Sequence, residues 1–322
     1  MSGPYLIRRI GQGVVTLWAV WSLVFVAYFM IPEDPASILC RPGCPQNFLR
    51  QIRETLGLNL PIWQQYLDYF GRIFRGDLGY SYVSDQPVTA IVLHALPVDL
   101  SLAIPAGIIW LTVGVGVGVM VARRPGSTRA RYATVFVLVG LSIPTFILGL
   151  ALTEVFDGTL IPGLQLFPRP GADWTPLLTN PLQWAHGLVL PWITLAFVSC
   201  ATYVRLTRSS MRDVLGEEYI TAARSRGLSE RRIIYRHALH AAITPVMTQF
   251  GIDLATVLGG AIVTEVVFQL PGLGRTMVQG VLTQDRPVIQ GVVLVASAFI
   301  VAANIGVDVL YRFIDPRVGY RR

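Results

Sequence analysis

Six apolar stretches long enough to cross a bilayer set the limits on what this chain of 322 residues can become. A helix rises about 1.5 Å per residue, so a hydrocarbon core of about 30 Å takes about 20 residues free of charge. Ile10 to Ile31, Leu100 to Ala122, Tyr132 to Thr153, Trp184 to Val204 and Val288 to Val307 contain no Asp, Glu or Arg, although the fourth carries His186 near its start. Ala241 to Thr264 makes the sixth and carries Asp253. The first run follows Arg8 and Arg9, yet it is too long for the apolar core of a signal peptide and lacks a small-residue cleavage site, so it reads as a retained span. The expected fold is all-α: a polytopic membrane protein with six transmembrane helices and a small external helical insertion.

Charge agrees. Charged residues make up 14% of the chain and hydrophobic ones 53%, against roughly 25% charged in soluble proteins. All 26 basic residues are Arg. A chain without Lys has no phosphate-binding Lys of a Walker A loop and no Schiff-base amine, so it is not an ATPase by itself. With the N-terminus inside, the internal segments hold 18 of the 26 Arg, and the short external loops hold only Arg169, Arg275 and Arg286. Both termini are therefore expected in the cytoplasm of a plasma-membrane protein. The net charge of +7 then reflects orientation and anionic lipid rather than nucleic acid, for which no recognition motif occurs.

The chain divides into residues 1–31 with the N-terminus and first span, an external insertion at 32–96, and a five-helix core at 97–322 with an internal loop at about 205–240. The insertion holds an amphipathic pattern from Phe48 to Leu56 and an aromatic-rich stretch from Trp63 to Phe74, consistent with a helical cap. Cys40 and Cys44 flank Arg41-Pro42-Gly43, a turn that brings two Cβ atoms near each other on the oxidising side; a disulfide and a pair of free thiols are both open. Cys200 reads as a small buried apolar residue. Pro105, Pro144 and Pro191 lie inside spans and should kink them. Gly114 and Gly118 have the small-xxx-small spacing of closely packed membrane helices.

The internal loop is the most informative segment. Glu217 to Arg226 reads as a short helix with acids in its first turn and Arg in its last, stopped by Gly227, and a second helix starts at Ser229. Ala222 and Ala223 offer a small-residue face that another protein can approach, while a basic loop lying on anionic lipid is the plainer alternative.

This stretch resembles the EAA loop of permease subunits from ATP-binding-cassette importers, with Thr221-Ala222-Ala223, Gly227, His237 and Leu239-His240 in the pattern's places; Thr221 stands for its Glu and His240 for its Pro. The dipeptide/oligopeptide branch is similar across almost the whole chain. Arg75-Gly76-Asp77-Leu78-Gly79-Tyr80-Ser81 looks like that branch's external motif, Arg205 to Met211 like its fourth-helix exit, and Phe268 to Arg275 with Asp308 to Arg317 like its C-terminal pattern. The resemblance implies a coupling helix seated in an ATPase subunit, with Glu218, Tyr219, Ala222, Ala223, Arg226 and Gly227 as its residues. It further implies a second homologous permease subunit, two cytoplasmic ATPase subunits carrying the ATP and Mg, no cofactor in this chain, and an extracytoplasmic substrate-binding protein. Relatives carry dipeptides, longer peptides, nickel chelates and haem-like ligands.

An acid within a span is a functional candidate because burying it uncompensated costs several kcal/mol. Asp253 either faces the pathway, where it would meet a peptide's ammonium, or is tied to a neighbouring helix. Glu265, placed near the external end of its helix, is a second pathway candidate. Asp308 and Arg312 are four apart and suit a local ion pair. His237 and His240 have no evident third metal ligand. The competing class is an ion-coupled secondary transporter using such acids for the proton, although no inverted repeat is evident. An intramembrane enzyme is more distant, as neither GxSxG nor HExxH occurs.

Overall fold

The computed structural model describes residues 3–30, 36, 45–55, 57–156, 160, 166–171 and 174–314, without the side chains of 3–6, 29, 30, 52 and 307–314. Cys40 and Cys44 lie outside the described residues, as do the side chains of Asp308 and Arg312. Among the described residues no strand occurs, and only one isolated antiparallel bridge, Tyr80 to Pro87, is present.

Helix α1 is Gly3–Met30. Two helices of the insertion follow, α2 at Gln46–Thr55 and α3 at Ile62–Phe74. Next come α4 at Val88–Arg123, α5 at Thr128–Ser142 and α6 at Thr145–Phe156. Helix α7 is Pro181–Leu215 and the short α8 is Glu218–Ser225. Helix α9, Glu230–Leu258, contains a π turn at Ile233–Ala238. The described residues end with α10 at Ile262–Val267, α11 at Leu273–Leu282 and α12 at Arg286–Ile314. Local chemistry sets several starts: Asn180 takes the Gln183 N–H at 3.1 Å with Pro181 at the first helical position, and Ser127 takes the Ala130 N–H at 3.2 Å.

Glycines decide where the two longest helices meet. No Cβ fits at Gly114 because Tyr203 of α7 fills the space, and one at Gly118 would lie 2.6 Å from Thr207 Cβ. A Cβ at Gly140 of α5 would likewise lie 2.9 Å from Ala201 Cβ. In lipid, where apolar area drives helices together only weakly, this close backbone approach supplies the packing. Trp110, Tyr203, Cys200 and Val246 close the core between α4, α7 and α9.

Among the described residues five helices are long and apolar enough to cross a membrane, Ile7–Tyr28, Val88–Arg123, Pro181–Leu215, Glu230–Leu258 and Arg286–Gly306, and the bent pair α5 and α6 makes a sixth if it counts as one span. The third expected span differs. Helices α5 and α6 are bent by 103° at a break, so Tyr132 to Thr153 is not one straight helix. Pro144 supplies no N–H, and the residue before it, Ile143, is held extended at φ −87° and ψ 119°. Helices α4, α7 and α9 instead continue through Pro97, Pro105, Pro191 and Pro245.

Two boundaries also move. Helix α4 begins at Val88, so residues 88–96 of the insertion are its first turns. The expected span from Ala241 to Thr264 ends early: α9 stops at Leu258, Gly260 takes φ +124°, and Thr264 and Glu265 sit on the separate α10. Glu265 is therefore not at the end of a spanning helix.

Candidate functional site

Helix α8 is held to the body by one face. Ile220 is fully buried with Met211, Ile233, Ile234 and Ala238, and Ala223 and Leu228 pack against the same cluster. Glu218, Tyr219, Ala222 and Arg226 are exposed. The expected small-residue face is thus divided: Ala222 points outward, whereas Ala223 belongs to the inner packing. Gly227 ends the helix as its position suggested. Leu228 N–H bonds the Ala223 carbonyl at 3.3 Å, Gly227 N–H bonds Arg224 at 2.9 Å, and Gly227 adopts φ +75°, a Schellman ending that favours glycine. Arg224 Nε donates to Glu230 Oε1 at 2.8 Å, an exposed pair linking α8 to α9. His237 lies in the π turn beneath, and no group of three His, Cys, Asp or Glu among the described residues is arranged for a metal.

Both oxygens of Asp253 have donors. Tyr203 donates its O–H to Oδ2 at 2.9 Å and Gln249 donates its Nε2–H to Oδ1 at 2.8 Å. Gln249 stands four residues earlier on α9, a spacing visible in the sequence, but Tyr203 belongs to α7 and no sequence signal points to it. Asp253 is half-buried, and of its two readings the tie to a neighbouring helix has a partner.

Glu265 has a companion that the sequence reading missed. Asp99 on α4 is 1% exposed and Glu265 is 0% exposed, and Asp99 Oδ1 and Glu265 Oε1 are buried without a hydrogen-bond partner. Asp99 Oδ2 accepts the Leu273 N–H and Glu265 Oε2 the Arg275 N–H, each at 2.9 Å, so two acids from elsewhere cap the first turn of α11. The glycines of the Phe268 to Arg275 motif make room for this. At Gly272 a Cβ would collide with the Glu265 carboxylate, and at Gly274 one would lie 2.7 Å from Ile262 Cα. Asp99 escaped notice because it stands one residue before the charge-free run at Leu100, although the helix extends past it.

The Arg75 to Ser81 motif also acquires a physical role. Asp77 Oδ1 takes the Gly79 N–H at 2.9 Å, turning the chain. Ser81 Oγ then donates to Asp285 Oδ2, while the Tyr82 N–H reaches Oδ1 at 3.1 Å. Asp285 is buried in the turn between α11 and α12, so the motif fastens the insertion to that turn. A cavity of about 260 Å³ lies at the start of α7, lined by Arg169, Trp174, Trp184, His186 and Phe268.

The described residues thus form a helical bundle whose longest apolar helices are membrane-length, with one short helix, α8, exposed along one face. Residues 114–320 match the family described as binding-protein-dependent transport system inner membrane component, and residues 3–103 match its N-terminal family. The chain belongs to this family and is a multi-pass integral membrane permease subunit of an ATP-binding-cassette transporter. It is 36% identical over 320 residues to a putative peptide transport system permease protein of Brucella melitensis, covering 99% of this chain and 100% of that one. It is 35% identical to the oligopeptide transport system permease protein AppB of Bacillus subtilis, covering 98% and 99%. The dipeptide transport system permease protein DppB of Escherichia coli is 36% identical, with 99% of each chain covered. Among solved structures, an inward-facing MetNI methionine ABC transporter has a TM-score of 0.53 at 20% identity, covering 70% of this chain and 96% of that one. That likeness extends to the fold, the type I permease arrangement.

Proposed function

We propose that this chain forms half of the translocation pathway of an ATP-driven peptide importer and that α8 is its coupling helix. The observation that carries the reading is the division of α8. Buried Ile220 and half-buried Ala223 root it in the bundle, while Glu218, Tyr219, Ala222 and Arg226 face outward where an ATPase subunit would receive them. Force applied to α8 passes through Ile233 and Ile234 into α9, and through Met211 into α7. Arg226 and the exposed acids offer polar contacts, Ala222 allows close approach, and Gly227 fixes the turn that sets the angle of α8.

In this reading the N- and C-termini are cytoplasmic, as the Arg distribution favours. A second homologous permease completes the pathway, two ATPase subunits hold ATP and Mg, and an extracytoplasmic binding protein delivers the cargo. The curated relatives' names favour dipeptides or oligopeptides as that cargo. Asp253, tethered by Tyr203 and Gln249, serves the helix interface in this reading; Glu265 positions α11 and is not a peptide ligand.

The test is a cysteine cross-link. Ala222→Cys in the assembled transporter should link to a cysteine in the ATPase groove and, once linked, should block ATP-stimulated uptake. Free uptake with the link fully formed would remove α8 from coupling.

A further inference from the structure

Helix α3 carries three stripes of different chemistry, and only two have an evident environment. Tyr66, Tyr69, Phe70 and Ile73 pack on α1 and α12 with Trp21, Phe25 and Leu294. Gln64, Asp68, Arg72 and Arg75 form a polar stripe at helical spacing, exposed apart from the half-buried Gln64. Trp63, Leu67 and Phe74 form the third stripe, and they are 61%, 60% and 78% exposed.

Contacts fix the depth of this helix. Tyr66 hydroxyl pairs with Ser22 Oγ at 2.7 Å, and the Phe74 ring lies 6.4 Å from that of Trp21, edge on. Trp21 and Ser22 belong to the span Ile7–Tyr28, and Trp21 lies about 10 Å inside its Tyr28 end. A second measure agrees, because Trp21 Nε1 donates to Ser297 Oγ at 3.1 Å, well within the span Arg286–Gly306. Helix α3 therefore lies beside the apolar part of α1, not above it. Trp18, one turn from Trp21 along α1, is also exposed, so the stripe continues an apolar surface that belongs to a membrane span.

We propose that α3 is an interfacial helix whose Trp63, Leu67 and Phe74 stripe is covered by the acyl chains of the leaflet at the C-terminal end of α1. The polar stripe then faces the headgroups, where Arg72 and Arg75 extend toward lipid phosphates while their stems stay in the apolar layer. Trp63 sits at the start of the helix, where an indole suits the boundary between acyl chains and water. Helix α3 is in consequence partly embedded beside α1, rather than part of a water-borne cap. The inference does not depend on which side of the membrane is external, nor on the cargo.

The test is nitroxide accessibility in the full chain reconstituted in liposomes, on a Cys40→Ser, Cys44→Ser, Cys200→Ala background. Labels at Leu67→Cys and Trp63→Cys should collide with oxygen several-fold more than a label at Asp68→Cys, which should collide more with an aqueous nickel chelate. Nickel access at Leu67→Cys equal to that at Asp68→Cys would overturn the proposal in favour of water. Exclusion of both quenchers at Leu67→Cys would overturn it in favour of a covering protein chain. With all cysteines intact, brominated lipids should quench a smaller fraction of the fluorescence in Trp63→Phe than in the wild type; an unchanged fraction also contradicts the proposal.

Discussion

Tyr203 of α7 donates its hydroxyl hydrogen to Asp253 of α9 across 50 positions of sequence. The pairing makes the acid of the sixth apolar run a tether between helices. Tyr203→Phe removes one of its two donors and should lower the unfolding free energy by about 1 kcal/mol, the scale of hydrogen bonds between membrane helices. Asp253→Asn leaves a group that can still pair with the Tyr203 hydroxyl and should cost less. Thermal unfolding of the purified chain in detergent would check this order. A larger loss in Asp253→Asn than in Tyr203→Phe would speak against the tether.

A second prediction concerns Gly272, whose missing Cβ makes room for the Glu265 carboxylate. Gly272→Ala should push that carboxylate from the Arg275 N–H and destabilise by about 1–3 kcal/mol, the usual range for overpacking. Glu265→Ala empties the space, so the two changes should be strongly non-additive in a double-mutant cycle. Additive losses would show that Gly272 matters for some other reason.

The third prediction separates two neighbouring alanines. Ala222→Glu changes an exposed position and should leave folding intact while abolishing ATPase association. Ala223→Glu places a charge against the cluster of Ile220 and Ile233 and should destabilise the chain itself. Gly227→Val forces a β-branched residue to φ +75°, at a cost of about 1–2 kcal/mol. Co-purification of the ATPase, measured beside the melting temperature, distinguishes these effects. Unchanged association in Ala222→Glu would argue against α8 as the docking element.

Much of this was legible in the chain because lipid removes choices. Apolar runs of the right length marked the spans, and Gly114, Gly118 and Gly227 could be read from spacing alone, since glycine has few rivals at close crossings and left-handed turns. What stayed hidden required partners distant in sequence. Asp99 and Glu265 stand far apart and meet only because α10 and α11 fold back onto α4. Asp285 gave no hint that it would receive Ser81. The bend at Pro144 was foreseen as a kink, yet its size depends on how α6 packs against α7 and α10, which periodicity does not encode. Ala222 and Ala223 looked equivalent until the rotation of α8 was fixed by Ile220.

The fourth prediction follows from the 18 Arg assigned to one side. A reporter that works only outside the cytoplasm should be active when fused within residues 45–75 and inactive when fused after Arg322. The reverse pattern would invert the proposed orientation.

The central claim is that transport through this chain is driven by nucleotide on partner subunits, although the chain contains the buried acids that a proton-coupled carrier would also use. Uptake of labelled peptide into proteoliposomes containing the assembled transporter and its binding protein tests it most directly, with ATP and the pH gradient varied independently. The account predicts uptake with ATP and no gradient, in the wild type and in Asp253→Asn alike. Accumulation driven by the gradient without ATP, and abolished by Asp253→Asn, would contradict it.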